Sequence, residues 1–131
     1  MSFAFYDNKI VSVIISDPGA DDTQVHLFRA PEVVQIVKAY AVSSATMGAG
    51  TAPQLALHNY GTGGTAVEGT IALNVAGTAN PLTANTPAAF TLADADLEAG
   101  EWVVLDVQEI NDWSGGLVTL EFELRPGKSA T

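Results

Sequence analysis

The chain has no cysteine and few positive charges, and each shortage excludes a class of function. Because none of its 131 residues is cysteine, it has no disulfide, no cysteine-ligated zinc and no thiol nucleophile. Five lysines and arginines stand against 15 aspartates and glutamates, which gives a net charge of −10 at pH 7. Nucleic acids and anionic membranes are bound mainly through lysine and arginine, so we expect neither as a partner.

Long apolar segments and targeting signals are also lacking. No run of residues approaches the roughly 18 apolar residues of a membrane-spanning helix. Residues 1–7, with the sequence MSFAFYD, carry no basic segment ahead of an apolar one, as a secretory signal requires. We therefore expect synthesis in the cytoplasm and no membrane association.

The length is that of one domain. We expect an N-terminal arm and first strand over 1–23, a β-sandwich core over 24–125 and a short polar tail over 126–131. A domain of this size buries roughly two-thirds of the surface that its unfolded chain exposes. It can therefore fold without a disulfide or a metal ion.

Short segments rich in β-branched and aliphatic residues recur along the chain, separated by glycine, proline, asparagine and aspartate. This pattern is typical of strands and tight turns. In the clearest segment, Val118, Leu120, Phe122 and Leu124 alternate with polar residues, so one face is buried and the other is wet. The predicted strands are 10–16, 24–29, 33–43, 53–60, 66–75, 88–92, 101–109 and 117–125.

The spacing of these segments predicts the fold class. About eight short strands in one domain indicate an all-β protein, a single β-sandwich of jelly-roll or Greek-key type. The segment 92–99 is the one helical candidate, because Asp94, Asp96 and Glu98 lie near its start and Gly100 follows its end.

Charge is distributed unevenly. Between residues 39 and 93 the only formally charged residue is Glu68, and the rest is mainly Ala, Thr, Gly, Asn and aliphatic residues. Interface cores are depleted in charge, so this stretch is one candidate for a contact between subunits. The alternative is that Thr and Asn simply solvate the outer faces of the strands.

No motif in the sequence assembles a catalytic site. His26 and His58 are the only histidines, and no Glu or His lies beside either of them at metal-ligand spacing. Residues 61–64, GTGG, lack the lysine and helix of a phosphate-binding loop, and no Gly-x-Ser-x-Gly is present. We expect no enzymatic activity, no catalytic residue, no resident metal and no cofactor.

Two acidic segments remain as weaker candidates for calcium, which prefers several oxygen ligands in a flexible loop. One contains Asp94, Asp96, Glu98 and Glu101, and the other contains Asp17, Asp21 and Asp22. Neither follows the EF-hand order. Acidic residues at the start of a short helix would explain the first segment without a metal.

Two aromatic residues in predicted turns are candidates for contact with a partner or a sugar. Trp113 lies in NDWSGG at 111–116, and Tyr60 lies beside the glycine-rich turn. An exposed tryptophan is a common anchor in interfaces, although Trp113 would also serve to cap an open end of the sandwich. Trp102 begins a strand and is interpreted as a packing residue.

Several segments taken in order resemble small β-sandwich virion proteins of tailed bacteriophages, and most of all their capsid decoration (cement) proteins. The similarity covers about 25–124. It is carried by VHLFRAP at 25–31, IVKAYAV at 36–42, LALHNYG at 55–61, FTL at 90–92, LEAGEWV at 97–103 and the closing strand 117–124.

This resemblance implies a structural protein without catalytic residues on the exterior of the virion. It implies a homotrimer that binds the major capsid protein and braces the assembled shell. We expect contacts from Phe3, Phe5 and Tyr6 in the apolar N-terminal segment and from the charge-poor segments 44–53 and 77–87. One alternative is a phage tail or fibre module that binds a receptor or glycan through Trp113 and Tyr60. A second is a hydrolase or metal-dependent enzyme with converging carboxylates.

Overall fold

The computed structural model describes residues 9–17, 19, 23–46, 55–72, 82–93, 95–107 and 116–127. Within these residues the chain forms nine β-strands and no helix. The strands are β1 (Lys9–Ile15), β2 (Thr23–Arg29), β3 (Val34–Ser43), β4 (Leu55–Asn59), β5 (Gly69–Ala72), β6 (Ala88–Ala89), β7 (Asp96–Leu97), β8 (Trp102–Val107) and β9 (Val118–Pro126).

The strands form two antiparallel sheets. The five-stranded sheet has the order β1-β9-β3-β6, and β7 also pairs with β3. The four-stranded sheet has the order β2-β8-β4-β5. Within the described part of the chain, β1 and β2 are therefore both edge strands, each in its own sheet. Strand β3 carries a β-bulge between Ile36 and Lys38, and β2 carries one between His26 and Phe28.

The core lies between the two sheets and follows from the two-residue period of the strands. In β9 the side chains of Val118, Leu120, Phe122 and Leu124 are buried, while Glu121 and Arg125 are exposed. In β8 the residues Val103, Leu105 and Val107 occupy the same core. Phe122 packs against Phe28 of the opposite sheet in an edge-on contact with ring centroids 5.2 Å apart.

The predicted all-β sandwich is confirmed, and the helix predicted at 92–99 is wrong. Ala95 and Leu97 are buried whereas Asp96 is exposed, which is the two-residue period of a strand. Residues Asp96–Leu97 form β7 and pair with β3. Of the acidic residues that suggested a helix start, Asp96 lies in this short strand and Glu98 follows it, ahead of a turn in which Gly100 has φ +89°.

The predicted strand ends agree with the structure to within a few residues, except where they extend past the described ranges. β7 was not predicted, and the predicted strand 88–92 is reduced to the pair Ala88–Ala89. The first strand, placed with the N-terminal arm, is fully paired to β9 from Lys9 to Ile15. The jelly-roll or Greek-key connection stays a prediction.

Candidate interaction surfaces

The outer face of the five-stranded sheet, here called the open face, exposes apolar side chains. Its residues on β1 are Ile10, Ser12 and Ile14, and the side chains of Ile10 and Ile14 are 56% and 65% exposed. Opposite them along the sheet lie Glu123 and Thr119 of β9. Two isoleucines at such exposure on one strand leave apolar area in water that a partner could cover.

A shallow groove of about 470 Å³ crosses the same face and is lined by Tyr40, Val42, Pro87, Thr119 and Glu121. Its wall is the segment that leads into β6. The backbone N–H of Asn85 donates to the carbonyl of Ser43 at 2.8 Å, which holds this segment against β3. Four of the five lining side chains are uncharged, so the groove suits an apolar or weakly polar partner.

A second cavity lies at the seam where the edge strands of the two sheets meet. It measures about 410 Å³ and is lined mainly by aliphatic, aromatic and proline residues from β1, β2, β3 and β9. Three of the chain's five basic residues line it as well, namely Lys9, Arg29 and Arg125, together with one acid, Glu32. We call this set of three cations the basic rim.

Hydrogen bonds hold the two arginines of the basic rim in place. The Nε of Arg29 donates to the carbonyl of Gly100 at 3.1 Å, and the Nε of Arg125 donates to Oε1 of Gln35 at 2.6 Å. Within the described ranges, none of the three cations forms an ion pair with a carboxylate. A patch of unpaired positive charge on a protein of net charge −10 favours an acidic partner at this seam.

The outer face of the four-stranded sheet, here called the closed face, is built differently. Val104 of β8 lies on this face, between His26 of β2 and His58 of β4, yet its side chain is fully buried. The connection over 60–68 folds back on the sheet, because the Nε2 of His26 lies 2.7 Å from the carbonyl oxygen of Gly64. A carbonyl can only accept, so this nitrogen carries the proton.

Aromatic packing fixes that connection. The ring of His26 meets Tyr60 and Trp102 edge-on, with centroids 5.8 and 5.7 Å apart. Gly64 has φ +67°, and a Cβ added there would lie 2.8 Å from Cδ1 of Trp102. The backbone of Gly64 therefore covers the indole, and the interpretation of Trp102 as a packing residue is confirmed.

A polar group lies beside these rings. The amide Nε2 of Gln24 donates to Oδ1 of Asp106 at 3.2 Å, and the Nε2 of His58 lies 4.0 Å from the other carboxylate oxygen. The Nδ1 of His58 is buried and has no hydrogen-bond partner in the described part of the chain. Burial, and then repulsion by the charge of Asp106, raise the pKa of Tyr60 above its usual value.

Of the partner-contact residues predicted from the sequence, the structure places only Tyr60, which is half-buried on the closed face. Phe3, Phe5, Tyr6 and Trp113 lie outside the described residues. The two histidines are in strands, as the sequence indicated, but the sheet brings them to either side of one valine. That pairing depends on sheet order, which a single sequence does not reveal.

The residues of the two acidic segments form local hydrogen bonds. The Oε1 of Glu101 accepts the backbone N–H of Glu98 at 2.7 Å, and the Oδ1 of Asp17 accepts the backbone N–H of Gly19 at 2.8 Å. Asp94, Asp21 and Asp22 lie outside the described residues. Among the residues that are described, no group of three or more histidines and carboxylates is arranged to hold a metal ion.

The basic rim was missed in the sequence. Its three members are separated by about 20 and 96 positions along the chain (9, 29 and 125), and only strand pairing brings them together. The available signal was that three of only five cations lie next to strand ends.

No known protein family, curated protein sequence or solved structure matches this chain. The described residues also include no helix of a length and apolarity suited to crossing a bilayer.

Proposed function

We propose that this protein is a structural component of a tailed-phage virion that binds the outer surface of the assembled capsid and stabilises it. Its partner is the major capsid protein. The proposal rests on the resemblance to capsid decoration proteins and on one structural observation, the contrast between an open face with an apolar groove and a closed face that is covered by its own chain.

Two properties of the groove on the open face support this proposal: it includes part of a segment expected to contact the shell, and its walls are largely apolar. It includes Pro87, which belongs to the charge-poor segment 77–87 expected to contact the shell. Tyr40 and Val42 supply an aromatic and an aliphatic wall. An apolar patch bounded by polar residues is the usual composition of a binding surface.

The mechanism is mass action on the assembled shell. A protein that binds only the expanded capsid lowers the free energy of that state relative to its disassembled or unexpanded forms. Because a capsid repeats the same site many times, each single contact can be weak while the lattice as a whole is stabilised. This mechanism requires only that a rigid fold binds to the shell.

The proposal is tested by co-sedimentation of the purified chain with shells assembled from the proposed partner, a tailed-phage major capsid protein. We expect saturable binding to expanded shells and little binding to unexpanded ones. Val42→Glu, which puts a charge into the groove, should weaken binding at least about tenfold. The matched control is Val67→Glu, since Val67 is 52% exposed outside the groove, and it should bind like the unmodified chain.

Two results would contradict the proposal. One is the absence of binding to either form of shell at high protein concentration. The other is equal loss of binding by the two valine variants, which would remove the groove from the contact. The homotrimer implied by the resemblance stays a prediction, and the mass of the protein in solution tests it.

A tail or fibre module that binds a glycan is the second candidate. The observation in its favour is the cluster of Tyr60, His26 and Trp102, since aromatic rings beside polar groups suit sugars. Trp102 is covered by Gly64, so the contact would fall to Tyr60 and to the predicted Trp113. Binding to a glycan array that is lost in Tyr60→Ala or Trp113→Ala would favour this candidate over capsid binding.

A further inference from the structure

Strand β1 is an edge strand without the usual protection against pairing. It has seven residues, KIVSVII, with no proline and no glycine, and its single charge is at the first position. Among the described strands it pairs with β9 alone. The remaining backbone groups of β1 have no hydrogen-bond partner in the described chain. A long, regular and apolar edge is a site where another strand adds.

The other edges of the two sheets are protected. Strand β2 carries a bulge between His26 and Phe28 and ends in Arg29. Strand β5 has four residues, and β6 and β7 have two each. Bulges, charges and short length all discourage pairing with another chain. Among the described strands, β1 is therefore the edge that lacks these protections.

The sequence of β1 is self-complementary. Residues 10–14 are Ile, Val, Ser, Val and Ile, which read the same in both directions about Ser12. When two copies pair antiparallel about Ser12, Ile10 lies opposite Ile14 of the other copy, and Val11 lies opposite Val13. Directly opposed side chains on one face of a sheet touch, so each exposed isoleucine on the open face gains an apolar neighbour.

The charges at the two ends of β1 do not set this register. The basic rim of Lys9, Arg29 and Arg125 lies at the start of β1, and Asp17 follows its end and is exposed. In pairing about Ser12, Lys9 lies opposite Ile15 of the other copy, and the sequence position set against Asp17 is another aspartate, Asp7. The pairing therefore rests on the apolar palindrome.

We propose that a second copy of this chain pairs its β1 antiparallel to β1 about Ser12, so that the two five-stranded sheets become continuous across a two-fold axis. The contact is isologous, because the same strand serves on both sides, and it closes after two copies. The proposal does not depend on capsid binding. It differs from the homotrimer implied by the resemblance, since a closed two-fold contact gives an even number of subunits.

The mass in solution, measured by light scattering over a concentration series, is the first test. We expect a dimer that dissociates on dilution. The double variant Ile10→Lys, Ile14→Lys replaces exposed side chains, so it should fold normally and raise the dissociation constant at least about tenfold. Circular dichroism and a cooperative unfolding transition establish that it has folded.

The register is tested with a single introduced cysteine, which the cysteine-free chain makes unambiguous. Ser12→Cys places one thiol per chain at the two-fold axis, within the Cα separation of about 4.4–6.8 Å that a disulfide spans. Mild oxidation should convert nearly all of it to a covalent dimer. The matched control, Thr119→Cys, lies on the same face but away from the axis and should not cross-link.

A charge exchange tests the register independently. Ile10→Lys and Ile14→Glu should each dimerise poorly alone, because each isoleucine of one copy then faces a charge. Mixed in equal amounts they should pair with each other, since one lysine meets one glutamate and one isoleucine pair is retained. With one of the two variants labelled with ¹⁵N, native mass spectrometry distinguishes the mixed pair by its mass.

Three outcomes would overturn the proposal. The first is a monomer at every concentration, which leaves another occupant of the edge, such as residues 1–8 of the same chain, or none. The second is a trimer in which Ser12→Cys cross-links no more than Thr119→Cys. The third is a dimer that survives the double lysine variant, which moves the contact elsewhere.

Discussion

The two outer faces of this sandwich differ in how far they expose their apolar side chains to water. Each strand has one side turned away from the core, and that side must face water, the chain itself or a partner. On the closed face, Val104 is fully buried, and the connection over 60–68 contacts His26 and Trp102 of the same face. On the open face, Ile10 and Ile14 stay exposed beside a groove. The difference indicates which face is available for a partner.

The largest expected effect on the free energy of unfolding comes from substitution at the centre of the closed face. Val104→Glu would place an unpaired charge in a fully buried position, and we expect it to cost about 4 kcal/mol or more of the free energy of unfolding. If that variant does not fold, Val104→Ala should cost about 1–3 kcal/mol. Urea denaturation measures both. A loss below about 0.5 kcal/mol for Val104→Ala, comparable to a surface change, would show that this face is not closed.

The next largest effect on the free energy of unfolding is expected in the connection over 60–68, which lies on the closed face. At Gly64, both φ +67° and the nearby Trp102 oppose a side chain, so Gly64→Ala should lower the free energy of unfolding by about 1–3 kcal/mol. Gly63→Ala is the matched control, because its nearest contact would be Oγ1 of Thr65 at 3.8 Å. It should change stability by less than about 0.5 kcal/mol. Equal effects at the two glycines would contradict the account of how the connection is held.

A charge introduced on the open face should lower the free energy of unfolding much less than one introduced on the closed face. Ile14 is 65% exposed, so we expect Ile14→Glu to change the free energy of unfolding of the monomer by less than about 0.5 kcal/mol. The measurement is urea denaturation at low protein concentration, where association does not add to the apparent stability. A loss as large as that of Val104→Ala would mean that the open face is covered by the chain itself.

The smallest effect concerns alkaline pH. The pKa of Tyr60 is raised by burial and by the charge of Asp106, so the folded protein keeps this proton at a pH where the unfolded chain loses it. The resulting stability is present below the usual tyrosine pKa of about 10 and is lost as pH rises through the folded pKa. Ultraviolet titration, with Tyr60→Phe as the reference variant, should assign to Tyr60 a tyrosine that ionises late. Ionisation at or below the usual value would contradict its position beside Asp106.

The sequence was sufficient to predict the fold class because the strand period is local. Val118, Leu120, Phe122 and Leu124 alternate clearly enough to define a buried face, and the structure buries all four. The helix predicted at 92–99 was wrong because acidic residues ahead of a glycine are common to short helices and to turns after edge strands. Tertiary pairing of Leu97 with β3 decided between them.

The surfaces were less predictable for a physical reason. Which strand is an edge, and which side chains meet on a face, depends on pairings between distant segments. The palindrome about Ser12 is visible in the sequence. It indicates pairing between two copies only once β1 is known to be an edge strand. In the same way, Arg29 and Arg125 become neighbours of Lys9 only through the arrangement of four strands.

The most direct test of the central claim is hydrogen exchange of the protein, free and bound to expanded capsid shells. The account predicts that binding slows exchange of backbone amides in β3 and β9 and in the segment around Pro87, which surround the groove, and leaves β2, β4 and β8 unchanged. Slower exchange confined to the strands of the closed face, with none around the groove, would contradict it.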